Sequence, residues 1–213
     1  MADGAPFHAD GVRGFLHRPA GAPRGGLVLT HGAGSDCRAP LLVAAAAAFG
    51  ASGITVLRCD LPFRQARPTG PPVRGSAARD QAGLAAAVAA LRGLVAGPLY
   101  LGGHSYGGRQ ATLLAADRAD VAAALLLFSY PLHPPKKPDQ ARTEHFPRLE
   151  TPCVFVHGAR DDFASPAELD AAVALIPAPT RIIRIAAAGH DLKRGRLDFS
   201  EIVSSLIALI AGA

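Results

Sequence analysis

Short runs that are apolar on both faces alternate with longer alanine-rich segments, and this alternation narrows the possible folds more than any other feature of the chain. Leu27-Val28-Leu29-Thr30, Ile54-Thr55-Val56-Leu57, Leu99-Tyr100-Leu101, Ala124 to Phe128, Val154-Phe155-Val156 and Ile182-Ile183-Arg184-Ile185 have strand length, and Gly, Pro or Asp bounds most of them. A strand that packs on one face only would alternate apolar and polar residues. These runs do not, so they read as parallel strands covered on both sides. The segments near 40–52, 76–95, 106–118, 166–176 and 198–211 read as the covering helices. Ser76, Ser165 with Pro166 and Glu168, and Ser200-Glu201 supply start signals. Strand-helix alternation requires crossover connections and predicts an α/β domain with a mostly parallel twisted sheet and helices on both faces. Gly14-Phe15-Leu16-His17 is expected to form an antiparallel edge strand. The Pro- and Arg-rich stretches 61–75 and 130–148 carry no periodic signal, and loops of that length in a compact domain are often functional covers.

Composition supports this reading and excludes others. With 213 residues, 49% of them hydrophobic and 18% charged, the chain has apolar surface enough for one sizeable core, so residues 1–213 are expected to form a single domain. The formal net charge is +5, but the basic residues are scattered, and only Lys136 and Lys137 form an adjacent lysine pair. A nucleic-acid partner is therefore not expected, since that function needs a dense basic stripe or a recognisable module. Cys37, Cys59 and Cys153 are widely spaced and odd in number, which argues against a disulfide framework or zinc cluster and for a reducing compartment. The start Met1-Ala2-Asp3-Gly4 lacks the basic and apolar regions of a signal peptide, and no apolar run approaches membrane-spanning length. A cytoplasmic location without membrane attachment is expected. The sequence carries no signal for oligomeric state.

Chemistry enters at Gly103-His104-Ser105-Tyr106-Gly107-Gly108, between the strand 99–101 and the helix that begins near Arg109. A G-x-S-x-G turn in that context raises a serine hydroxyl above the sheet, next to the positive end of a helix dipole. A serine needs a base to take its proton. His190, in Ala188-Gly189-His190-Asp191 after the last strand, is the candidate, delivered to the carboxyl edge where α/β sheets gather their ligands. His31 and His157 each precede a glycine and are expected to shape their turns instead. The histidine needs a carboxylate to fix its tautomer. Asp161 is favoured because it closes a Gly-x-x-Asp turn begun by Gly158, and Asp162 stays open as a rival. An oxyanion hole would take one amide from Tyr106 and a second from the loop His31-Gly32-Ala33-Gly34, assigned to Ala33 with Gly34 as the alternative. The chain order Ser105, Asp161, His190 is that of α/β hydrolases and differs from both protease orders.

Over nearly its whole length the chain resembles the α/β-hydrolase superfamily. Thr30-His31-Gly32-Ala33-Gly34, Gly103 to Arg109, Tyr130-Pro131-Leu132-His133-Pro134-Pro135, Arg142-Thr143-Glu144-His145 and Gly158-Ala159-Arg160-Asp161 are together similar to a small subfamily. That subfamily contains bacterial predicted hydrolases, a testis-expressed protein and a subunit of a histone-acetyltransferase complex. The resemblance implies Asp161 as the acid and a minimal fold with no separate cap domain.

The expected activity is that of a serine hydrolase acting on a small ester or related acyl substrate, with no metal or organic cofactor. A catalytically idle interaction protein on the same scaffold is the alternative. His133, Lys136 and Lys137 would form a basic rim above the site if the 130–148 stretch covers it. The other reading of that stretch is a solvated proline-rich loop.

Overall fold

A computed structural model describes residues 4–9 and 11–211, so Met1 to Asp3, read above as lacking a leader, lie outside the described residues. The chain runs β1 (Ala5–Ala9), β2 (Val12–His17), β3 (Gly26–Thr30), α1 (Pro40–Ala51), β4 (Thr55–Cys59), α2 (Pro62–Ala66), α3 (Ser76–Arg92) and β5 (Leu99–His104). It continues through α4 (Tyr106–Asp117), β6 (Ala124–Phe128), β7 (Cys153–Gly158), α5 (Pro166–Val173), β8 (Thr180–Ile185) and α6 (Phe199–Ala211), with single 3-10 turns at Ala119–Val121 and Phe146–Arg148. The eight strands form one sheet in the order β1-β2-β4-β3-β5-β6-β7-β8. The pairs β1–β2 and β2–β4 are antiparallel and all others are parallel.

Continuous apolar runs follow from burial on two faces. In β3, Leu27 and Leu29 pack on one side of the sheet and Val28 on the other; in β6, Ala124, Leu126 and Phe128 oppose Leu125 and Leu127. One core lies under α3, α4 and α5, and the other under α1 and α6. A Leu or Phe fully removed from water stabilises the fold by about 1.5–3 kcal/mol, so apolar residues dominate the central strands, and a buried polar one such as Thr30 is hydrogen-bonded, its hydroxyl donating to the Cys59 carbonyl at 3.1 Å. Helix starts follow the local chemistry as well. Ser165 Oγ accepts from the Glu168 amide, while Glu168 Oε2 accepts from the Ser165 amide, a reciprocal cap that starts α5. Asp198 rather than Ser200 starts α6, because its carboxylate receives the amides of Ser200 and Glu201.

Two expectations change. The Gly14–His17 run belongs to β2, which is antiparallel but sits inside the sheet between β1 and β4, because β1 adds an outer strand. The 61–75 stretch holds the short helix α2, begun by Pro62, whose fixed φ suits a first helical position. No second sheet or separate helical cap occurs among the described residues, and no helix among them is long and apolar enough to cross a membrane.

Candidate active site

The parallel register brings the carboxyl ends of β3, β5, β6, β7 and β8 to one edge, with Thr30 beside Gly103, His104 beside Phe128 and Gly158 beside Ile185. The chain leaves β5 through a sharp elbow. Ser105 has φ 49 and ψ −114, a conformation that costs a non-glycine residue about 1–3 kcal/mol. It is held there by its amide donating to the Phe128 carbonyl at 2.8 Å and by Arg109 N closing the first turn of α4 on the Ser105 carbonyl at 3.0 Å. Gly107 permits the close approach: a Cβ there would lie 2.6 Å from the His31 carbonyl oxygen.

His190 and Asp161 meet this serine from two other strand ends. His190 Nε2 lies 2.8 Å from Ser105 Oγ, and His190 Nδ1 lies 2.8 Å from Asp161 Oδ2 and 3.0 Å from Oδ1. With Nδ1–H donating to the carboxylate, Nε2 is left as the acceptor for the serine proton. Asp161 is buried and also receives the Phe163 amide at 2.8 Å, whereas Asp162 is exposed and makes no side-chain hydrogen bond among the described residues. The acid and histidine loops are tied together through their backbones, Ala159 N to Ile185 O and Arg160 N to Ala188 O.

Two further residues hold His190. The Phe163 ring stacks on the imidazole with centroids 4.0 Å apart and planes at 26°. His104 Nε2–H donates to the His190 carbonyl at 2.9 Å, and burial pushes the His104 pKa down, keeping that ring neutral. Sequence reading gave neither a role. His104 adjoins the serine motif and was visible in it, while the stacking of Phe163 depends on a tertiary contact that no local pattern announces.

The remaining predicted site residues lie on the other side of Ser105. A Cβ on Gly32 would stand 3.5 Å from Ser105 Cβ, so the 31–34 loop abuts the serine. The Gly32 carbonyl accepts from His31 Nδ1 at 2.9 Å and from Ser35 N at 3.2 Å. In a trans peptide the Ala33 N–H must then point to the opposite side. Neither it nor the Tyr106 N–H, at the first position of α4, has an acceptor among the described residues. Arg64, in the stretch that gave no sequence signal, fixes this loop: its guanidinium donates to the carbonyls of Ala33, Ser35, Arg67 and Gly70.

His31 and His157 behave as turn residues. His31 receives the Leu61 amide on Nε2 at 3.1 Å, and His157 Nε2–H donates to the Ala164 carbonyl at 3.0 Å; burial lowers both pKa values. The basic rim is corrected in part. His133 is 5% exposed and turned inward, with Nδ1 against the Pro134 carbonyl and Nε2 3.5 Å from Glu168, because its amide is pinned to the Phe163 carbonyl; Lys136 and Lys137 are exposed.

Residues 23–208 match the family described as an alpha/beta hydrolase domain. The chain belongs to the α/β-hydrolase family. Among solved structures, Est1E from Butyrivibrio proteoclasticus superposes with a TM-score of 0.76 at 17% identity, covering 97% of this chain and 98% of that one. An α/β serine hydrolase homologue from Coxiella burnetii gives 0.71 at 17% identity, over 97% and 96% of the two chains. An α/β serine hydrolase from Xanthomonas campestris, described as lacking a lid, gives 0.71 at 17% identity over 100% and 95%. At these identities the likeness is one of fold, and it agrees with an α/β hydrolase that has no cap.

Proposed function

We propose that this α/β hydrolase is a serine esterase for small acyl substrates. The observation that carries the reading is the unbroken hydrogen-bonded chain Ser105–His190–Asp161, whose members come from the ends of β5, β8 and β7. In this reading Ser105 Oγ attacks the ester carbonyl while His190 Nε2 takes its proton. Asp161 holds the imidazole in its Nδ1–H tautomer and stabilises the imidazolium. The amides of Ala33 and Tyr106 receive the developing oxyanion, a contribution of about 3 kcal/mol per donor in comparable sites. His190 then returns the proton to the leaving alcohol, and water cleaves the acyl-enzyme by the same route in reverse. The substrate is a small molecule.

The compartment is read as cytoplasmic, on the strength of three free, buried thiols. Burial together with the neighbouring Asp60 raises the Cys37 pKa to about 12, which leaves it unreactive.

Hydrolysis of 4-nitrophenyl acetate and butyrate tests the activity. The wild type turns both over, and Ser105→Ala abolishes turnover while melting within a few degrees of the wild type. Equal background rates in two folded proteins would favour the non-catalytic interaction protein instead.

A further inference from the structure

Two guanidinium groups, one in the first turn of α4 and one in the segment after β6, have no anionic partner among the described residues. Arg109 occupies the first turn of α4, four residues after Ser105, so its Cα lies about 6 Å further along the helix. It is half-buried, its Nε is fully buried, and its guanidinium makes no hydrogen bond among the described residues. Arg142, in the segment that follows β6, is also half-buried, and its side chain makes one long bond, 3.3 Å to the Pro131 carbonyl. Neither group forms an ion pair among the described residues. The acid nearest in sequence, Glu144, is exposed, and its charge reaches Arg142 without pairing with it. The charge of Arg109 acts on Tyr106, Tyr130, Arg142 and His145. Burial and, after it, the charge of Arg109 lower the Arg142 pKa.

Their positions are built rather than accidental. The Arg142 amide donates to the Leu132 carbonyl at 2.8 Å, the Tyr130 hydroxyl donates to the Arg142 carbonyl at 3.1 Å, and His145 Nε2 lies 2.8 Å from Thr112 Oγ1 on α4. Main-chain bonds and an aromatic pair, Tyr130 on Phe146 at 5.3 Å, therefore hold the segment against α4. Half-buried charges that lack a counter-ion raise the energy of the free protein, and an anion arriving between them relieves it. A guanidinium fork fits a carboxylate with two parallel bonds, which a lysine does not.

We propose that Arg109 and Arg142 form an anion-holding subsite next to Ser105, and that the substrate is an ester bearing a carboxylate a few bonds from the scissile carbonyl. This rests on the serine-hydrolase reading and places the basic recognition on two half-buried arginines instead of His133 and the exposed lysines.

The test compares mono-4-nitrophenyl adipate with 4-nitrophenyl hexanoate, acyl chains of equal length that end in a carboxylate or a methyl group. The wild type is expected to favour the adipate half-ester in kcat/KM by about tenfold or more, with a preference that shrinks as salt rises. Arg109→Gln and Arg142→Gln are each expected to lower the adipate-to-hexanoate ratio about tenfold, and Arg109→Lys by less. Arg142→Gln and Arg109→Lys carry the comparison if Arg109→Gln does not fold. A ratio near one in the wild type, or one unchanged in the variants, overturns the subsite. Failure of the hydrolase reading looks different: neither ester is turned over. Calorimetry with adipate then decides the subsite alone, with saturable binding lost in Arg142→Gln supporting it and no binding to the wild type overturning it.

Discussion

Ser105 stands between two histidine–aspartate couples that the fold uses in opposite ways. His31 and Asp60 follow β3 and β4, with Nε2 3.8 Å from Oδ1; His190 and Asp161 follow β8 and β7, with Nδ1 2.8 Å from Oδ2. Both nitrogens of His31 are spent on backbone, the Gly32 carbonyl and the Leu61 amide, and Asp60 is occupied by Arg13 and the Cys37 amide. That couple fastens the 31–37 loop to the end of β4. His190 has one nitrogen on its acid and the other aimed at a serine hydroxyl, with the ring 23% exposed where the ring of His31 is fully buried. In the proposed mechanism the same two side chains make a brace or a relay according to what the second ring nitrogen meets.

The comparison is broken most directly by deleting each ring. His190→Ala is expected to lower kcat/KM for 4-nitrophenyl butyrate about 10⁴-fold or more with little change in urea midpoint. His31→Ala is expected to reverse the pattern, costing about 2 kcal/mol of stability because the buried Leu61 N–H loses its acceptor, with a rate loss under about tenfold. Comparable rate losses in both would erase the distinction. A narrower contrast separates the neighbouring acids. Asp161→Asn should lose about 10³–10⁴-fold in kcat, because an amide no longer enforces the Nδ1–H tautomer, while Asp162→Asn stays within about twofold. Next, Asp60→Asn should destabilise the protein by about 1–3 kcal/mol, read from urea unfolding, since the Cys37 amide and Arg13 lose a charged acceptor.

The smallest expected effect is on the pH dependence of stability. Burial lowers the pKa values of His31, His104 and His157, and burial with the nearby Arg109 lowers His145 to about 4. Such imidazoles bind protons more readily in the unfolded chain, whose value is near 6.5, so stability is full above that pH and is lost as pH falls below it. For His145 the window runs from about 6.5 down to about 4. The urea midpoint should fall between pH 7 and pH 5, and fall less in His145→Gln. A midpoint that rises on acidification would contradict the neutral, buried state of these rings.

Much of this was legible in the sequence, and for a physical reason. Burial on both faces writes a strand as a near-continuous apolar run, and β3, β5, β6 and β7 appear in the sequence that way, whereas β4 buries Thr55 and Arg58 and the edge strand β8 leaves Arg181 and Arg184 exposed, so those two show through their β-branched residues. β1 does not appear: its Ala5–Ala9 residues are largely exposed, and only its pairing with β2 defines it. Ser105, Asp161 and His190 were legible because each sits at a strand end in an order with chemical meaning. Their supports were not. Arg64 gathers four carbonyls from within a Pro- and Arg-rich stretch, Phe163 stacks across from another loop, and His133 turns inward because of a bond to Phe163. Such contacts are properties of the assembled edge, and no spacing along the chain encodes them.

In the proposed mechanism His190 and Asp161 make the Ser105 hydroxyl a nucleophile. Reaction of the folded protein with a fluorophosphonate, followed by peptide mass spectrometry, tests it most directly. Stoichiometric phosphonylation of Ser105 that disappears in folded His190→Ala is expected, whereas a folded wild type that stays unmodified, or takes the label on another residue, overturns that mechanism.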